Sequence, residues 1–313
     1  MRSFAFGLLI LVGCSGSGSG SVPDSTLASA PAPTEPGGDP GASTTPPSTS
    51  QPGPSTDPAT RRSAGCGKTA AAGLVAKTVT AAGKSRTFTV SIPERYDATH
   101  AYALVVVHHG AGDTDAASMR DWFVEEKAFA DAVYVYPQAL PRTRADGSGD
   151  DIPRWDLEGN EDLAFFDALV ADVLASSCVD TKRVFASGFS SGGNFAQQLG
   201  CLRASTLRAF ATVAGPGPFT DKCGGPMPVW MTHDVDDDAL PVEGARESRD
   251  FWAAHDSCGT TQWSKATMLP SECTTNTGCP ATTPIVYCET KGIGHDMPSF
   301  APKAMAAFFD SFR

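Results

Sequence analysis

From residue 86 onward the chain alternates short apolar runs with longer stretches of helical periodicity. The runs RTFTVSI (86–92), ALVVVHH (103–109), VYVYP (133–137), RVFAS (183–187), FATVAG (210–215), VWMTH (229–233) and IVYCE (285–289) are rich in β-branched and aromatic residues. Runs of this kind are what the strands of a parallel sheet covered on both faces require. Between them, EDLAFFDALVADVLASS sets Leu163, Phe166, Leu169, Val170, Val173 and Leu174 on one stripe. Its acids come first, where the helix dipole favours them. Helical periodicity also covers 116–130, 193–203, 243–255 and 302–312. Strands alternating with helices predict an α/β fold, a mostly parallel, doubly wound sheet with helices on both faces.

The first 64 residues follow neither period. Arg2, the apolar run 4–12 and the ending LVGC read as a short secretory signal, since spanning a bilayer takes about 20 apolar residues. The LVGC ending further predicts a lipoprotein signal over 1–14, with lipid on Cys14 anchoring an exported protein to the bacterial envelope, at the outer membrane or cell surface. Residues 15–64 are dominated by Ser, Gly, Pro, Thr and Ala, too little apolar surface to offset chain entropy, and predict a disordered tether. Residues 65–313 then form one domain. With 24 basic and 35 acidic residues the net charge is −11, which argues against nucleic-acid partners and leaves the lipid as the only predicted membrane contact. Eight cysteines remain after Cys14, and an even number in an exported domain reads as a disulfide framework. Without a C-x-x-C pair, a zinc site is disfavoured and no metal or other cofactor is expected. The pairs Cys201–Cys223 and Cys258–Cys288 are the expected braces, each beside a loop of the candidate site described next.

Of three serines in KRVFASGFSSGGNF, only Ser190 fits G-x-S-x-G, as GFSSG (188–192). A strand leads into it and a helix leads out, the elbow that exposes a serine hydroxyl on a strained turn. A nucleophilic serine needs a base, an acid to orient the base, and donors for an oxyanion. In the elbow architecture these follow in the order Ser, Asp or Glu, His. Of the later histidines, His233 precedes the acids and His255 lies in a helix. His295, in the loop KGIGHDMP between a strand and the last helix, is therefore the candidate base. The acid comes from THDVDDDALP. A calcium loop is rejected there, because Ala239 and Ala245 occupy the required Gly and Glu positions. The residues themselves favour Asp236 or Asp237. For the oxyanion, the amides of Ser191 and of Ala111, in the loop after VVVHH, are the candidates. Adjacent His108 and His109 point to opposite sides of a strand and are read as structural.

Together GCGK, VVVHHGAGD, EDLAFFDALV, CVDTKRVFASGFSSGGNFAQQLGC, FATVAGP, VWMTHDVDDDALP and VYCETKGIGHDMP resemble the feruloyl esterase and poly(3-hydroxybutyrate) depolymerase group of α/β-hydrolases, most closely its secreted feruloyl esterases. The resemblance covers essentially the whole domain. It implies an α/β-hydrolase fold, with Ser190 as nucleophile, His295 as base, and Asp237 as acid four residues after a histidine. It also accounts for cysteines at 178, 201 and 223. The chain departs from the group at Asp234, where glycine is usual, which keeps Asp236 open, and in its predicted anchor. The resemblance implies a cofactor-free serine esterase acting on feruloylated plant polysaccharide. Trp155 and Phe189 are candidates to wall the acyl group, with core packing the alternative for both. Acetyl-xylan or short-chain hydroxyalkanoate esters are the alternative substrates. A non-catalytic polysaccharide-binding protein is the reading from another class.

Overall fold

The computed structural model describes residues 61–313, apart from 124, 144–146, 148–149, 259–262 and 267–268. The signal, the lipidation site Cys14 and nearly all of the tether lie outside the described residues. Residues 61–64 are described, and they dock on the domain rather than continue the tether to 64. Arg62 bridges to Asp180, and the buried Ser63 hydroxyl donates to the Ser177 carbonyl at 2.6 Å.

The strands in chain order are β1 (Gly73–Ala81), β2 (Lys84–Ile92), β3 (Tyr102–His108), β4 (Ala132–Pro137), β5 (Pro141–Arg142), β6 (Ile152–Pro153), β7 (Val179–Phe189), β8 (Ala209–Val213), β9 (Val229–Asp234), β10 (Trp263–Ser264), β11 (Cys273–Asn276) and β12 (Ile285–Thr290). The helices are α1 (Met119–Phe123), α2 (Glu125–Ala128), α3 (Glu161–Ser176), α4 (Ser191–Leu202), α5 (Val242–His255) and α6 (Ala301–Asp310). Among the described residues one sheet runs β1-β2-β4-β3-β7-β8-β9-β12-β11-β10. Its centre, from β4 to β12, is parallel, and both margins are antiparallel.

Side chains alternate across the sheet and build two cores. Leu104 and Val106 of β3 join α3, α4 and α5 through Phe166, Phe195 and Trp252. Ala103, Val105 and Val107 join α1 and α6 through Met119, Met305 and Phe309. All seven strand runs and four of the five helical stretches lie where the periodicity puts them, within a few residues at their ends. The segment 116–130 differs: a 3₁₀ turn over Ala116–Ser118 precedes two short helices. It carries no continuous apolar stripe, since Ala116, Met119 and Phe129 are its buried apolar side chains among those described. Strand β1 is an addition. Its Thr, Lys and Ala positions dilute the apolar signal, as an edge strand permits.

Four disulfides join Cys66–Cys178, Cys201–Cys223, Cys258–Cys279 and Cys273–Cys288. The expected Cys258–Cys288 pair is corrected. Cys288 stands directly opposite Cys273 in the β11–β12 ladder, leaving Cys258 to Cys279.

Candidate active site

Ser190 sits at the C-terminal end of central strand β7, with φ +52° and ψ −122°, immediately before α4. A non-glycine residue held there is strained, and its neighbours must give it room. A Cβ on Gly188 would lie 2.2 Å from the Gly192 carbonyl oxygen, and one on Gly192 would lie 2.1 Å from that of His108. Both positions therefore have to be glycine for strand, turn and helix to close this tightly. The Ser190 amide donates to Val213 O at 3.0 Å, fixing the turn to β8.

The loop after β12 brings His295 over this turn, with Nε2 2.8 Å from Ser190 Oγ. On the ring's other side Nδ1 lies 2.8 Å from Asp237 Oδ2. The Asp237 side chain is fully buried, and its Oδ1 accepts from the amides of Ala239 and Leu240 at 2.9 and 2.8 Å. With a carboxylate facing Nδ1, the neutral imidazole carries its proton there and leaves Nε2 to accept from the serine hydroxyl. His233 Nε2 donates to Leu240 O at 2.7 Å and lies 3.2 Å from Asp237 Oδ2, backing the acid from β9.

The two open acids separate cleanly. Asp236 turns away from His295 and accepts from the Gly292 amide at 3.1 Å. Asp234 is 3 % exposed and accepts from Asp236 N at 2.9 Å, Thr290 Oγ1 at 2.8 Å and Ile293 N at 3.1 Å. Burial alone would raise its pKa, yet the donors from Asp236, Thr290, Gly294 and Ile293 outweigh burial and hold it below the usual carboxylate value. Asp234 and Asp236 thus tie the acid loop to the loop that carries His295.

Ala111 and Ser191 both line the space around Ser190. A Cβ on Gly110 would come within 3.7 Å of Ser190 Cβ, so the loop after β3 passes beside the serine. Trp155 borders the space around Ser190 yet is only 3 % exposed, and most of its ring is packed in the core. Its ring stacks on Phe195 at 5.0 Å, its Nε1 donates to His109 O at 2.9 Å, and its amide donates to Ser191 Oγ at 3.2 Å. It is a core residue that braces the His109 backbone against the start of α4. Phe189 is half-buried beside the site, its ring 4.9 Å from that of His295. His108 and His109 are buried and bonded to the backbone through Nδ1, to Ser187 O and Gly110 O. Burial holds both rings neutral, His108 with its pKa lowered to about 3. Among the described residues, no three His, Cys, Asp or Glu side chains are grouped to hold a metal ion.

Two clefts meet at Ser190, Ala111 and His295. One, of about 520 Å³, is lined by Gly110, Met119, Trp122 and Phe189. The other, of about 590 Å³, is lined by Arg142, Arg154, Asp156, Glu158, Asn194 and Phe219. Asp162, at the start of α3, organises the second cleft. It pairs with fully buried Arg86 at 2.6 Å, accepts from Asp156 N at 2.7 Å and holds Arg142 at 3.2 Å. Sequence reasoning missed Trp122, Arg142 and Phe219. Trp122 stands in MRDWFV beside other apolar residues, so no local signal set it apart.

No family model matches the chain. It is 30% identical over 208 residues to the probable feruloyl esterase C of Aspergillus terreus, covering 64% of this chain and 71% of that protein. With the probable feruloyl esterase C of Aspergillus niger it shares 29% over 248 residues, 72% of this chain and 83% of the relative. Among solved structures, an acetyl xylan esterase from Aspergillus awamori superposes with a TM-score of 0.54 at 14% identity, over 75% of this chain and 99% of that one, a likeness of fold. The identity to those relatives, carried on this sheet, places the chain in the feruloyl esterase family of α/β-hydrolases, and it is a carboxylic-ester hydrolase.

Proposed function

We propose that the protein is an extracellular serine esterase releasing hydroxycinnamates from feruloylated plant cell-wall polysaccharide. The hydrogen-bonded chain Ser190–His295–Asp237, at the junction of two clefts, carries this reading. Ser190 Oγ attacks the ester carbonyl while His295 Nε2 takes its proton, and Asp237 holds the imidazolium that forms. The amides of Ala111 and Ser191 receive the charge developing on the carbonyl oxygen. Collapse of the tetrahedral intermediate breaks the bond to the alcohol oxygen, which leaves with the proton from His295. Water, deprotonated by His295, then attacks the acyl-enzyme and frees the acid and Ser190.

The relatives named for feruloyl esterase activity support the acyl group. The LVGC motif and the four disulfides support export to an oxidising compartment with lipid on Cys14. Lipid labelling that is present in the full chain and lost in Cys14→Ala tests the anchor. The enzyme is tested by kcat/KM on methyl ferulate and p-nitrophenyl acetate, for the full chain and its Ser190→Ala variant. Efficient ferulate cleavage that the variant loses upholds the proposal. Cleavage of the acetate alone shifts the substrate to acetyl esters, and activity surviving in the variant removes Ser190 as nucleophile.

A further inference from the structure

In the tetrahedral intermediate the acyl chain and the leaving alcohol diverge from one carbon, so a serine where two clefts meet can direct each into its own cleft. The two clefts here differ in chemistry. On one side Trp122 packs edge-on against Phe189, ring centroids 4.4 Å apart at 88°, with Met119 and Gly110 completing an apolar wall. Asp113, Ser118 and Asp121 line the same cleft and offer acceptors to a phenolic hydroxyl. At about 520 Å³ it falls within the range usual for small-molecule sites, about 300–1,000 Å³.

On the other side two guanidinium groups, two carboxylates and the Asn194 amide present the donors and acceptors that sugar hydroxyls need. Arg142 is held in place there by Asp162 at 3.2 Å and Glu161 at 3.3 Å. The four large apolar side chains most exposed among the described residues are Leu74, Trp122, Phe219 and Ile293. Two of them line these clefts, one in each: Trp122 at 36 % exposure and Phe219 at 55 %. An exposed Phe among polar groups is a stacking face for a sugar ring; an exposed Trp against a second aromatic is a slot for a flat arene.

We infer that the Trp122–Phe189 cleft receives the aromatic acyl group, that the Arg154–Phe219 cleft receives the sugar alcohol, and that Trp122 is the specificity-determining residue for hydroxycinnamoyl esters. The assignment rests on the feruloyl reading of the site proposed above. Two esters carrying the same aryl-propenyl group in opposite places test it: methyl ferulate, with the ring on the acyl side, and coniferyl acetate, with the ring on the alcohol side. The measured quantity is the ratio of their kcat/KM values for the wild-type chain, Trp122→Ala and Phe219→Ala. Thermal melting of each variant confirms the fold, and both side chains are exposed enough for it to survive their loss.

Losing one apolar contact to a substrate changes discrimination by about 10- to 200-fold. The ferulate-to-coniferyl-acetate ratio is therefore expected to fall tenfold or more in Trp122→Ala and to rise in Phe219→Ala. A wild-type enzyme that cleaves methyl ferulate, with a ratio unmoved in Trp122→Ala, overturns the assignment alone, and a ratio that rises in Trp122→Ala reverses it. A wild-type enzyme that cleaves coniferyl acetate but not methyl ferulate overturns the feruloyl reading, and the assignment with it.

Discussion

Replacing Asp234 by glycine removes the carboxylate that ties the two catalytic loops together. The hydrogen bonds from Asp236 N, Thr290 Oγ1 and Ile293 N are lost with it. At about 1.5–3 kcal/mol for each bond to a charged group, the simple sum overstates the cost. Asp236 and Ile293 are exposed, and water replaces the acceptor for their amides. Thr290 is 6 % exposed, so its hydroxyl is left without that acceptor in a buried setting. A net loss of about 3 kcal/mol follows. For a domain of this size that lowers Tm by roughly 6–12 °C, read by calorimetry with the disulfides intact.

The same substitution loosens the loop carrying His295, so kcat on p-nitrophenyl acetate drops about tenfold or more while KM changes little. The pH dependence has a definite sign. Because the folded Asp234 pKa lies below its ordinary value of 3.8, its contribution is fully present above that value and disappears as pH falls through the lower folded one. The gap in Tm between wild type and variant therefore stays constant at neutral and mildly acid pH and closes in strong acid. A gap under about 2 °C at pH 7 with unchanged kcat refutes the reasoning, since the bonds would then hold nothing in place.

Asp237→Asn is expected to lower kcat by about 10⁴-fold through the wrong imidazole tautomer, and Asp236→Asn by less than tenfold, as steady-state kinetics will read. Because His108 is held neutral with a folded pKa of about 3, the unfolded chain takes up a proton below its ordinary 6.5 and the folded one does not. Stability is thus lost progressively as pH falls from about 6.5 towards 3, and a His108→Gln variant should show a shallower fall of Tm with pH. Gly192→Ala sets a Cβ against the His108 carbonyl and is expected to give little folded protein, measured as soluble yield.

The central strands were legible because burial on both faces makes each one continuously apolar, as VVV in β3 and FAT in β8 show. Ser190 was legible because its elbow is local: two glycines, a strand before and a helix after. Chain order then left His295 as the base. The choice between Asp236 and Asp237 was not local. Consecutive side chains in a tight loop diverge, one to His295 and one to Gly292, and composition does not record which. Trp155 was open to two readings, acyl wall or core, and Trp122 drew none. Trp155 lies in a polar stretch, and only its packing on Phe195 shows that it faces inward. Disulfide pairing depends on which strands become neighbours, so Cys273 and Cys288 revealed themselves only through the β11–β12 ladder.

Strand β7 also sets the domain's polarity in space. The incoming chain is fixed at its N-terminal end by the Cys66–Cys178 link and the bridge from Arg62 to Asp180, while Ser190 follows its other end. Strand β3 pairs Tyr102 with Val179 and His108 with Gly188, so at about 3.3 Å per residue these points lie roughly 20 Å apart, at opposite ends of the central strands. A solid support joined directly to residue 61 is therefore held at the end of the sheet away from Ser190, and immobilisation through that point leaves both clefts facing outward.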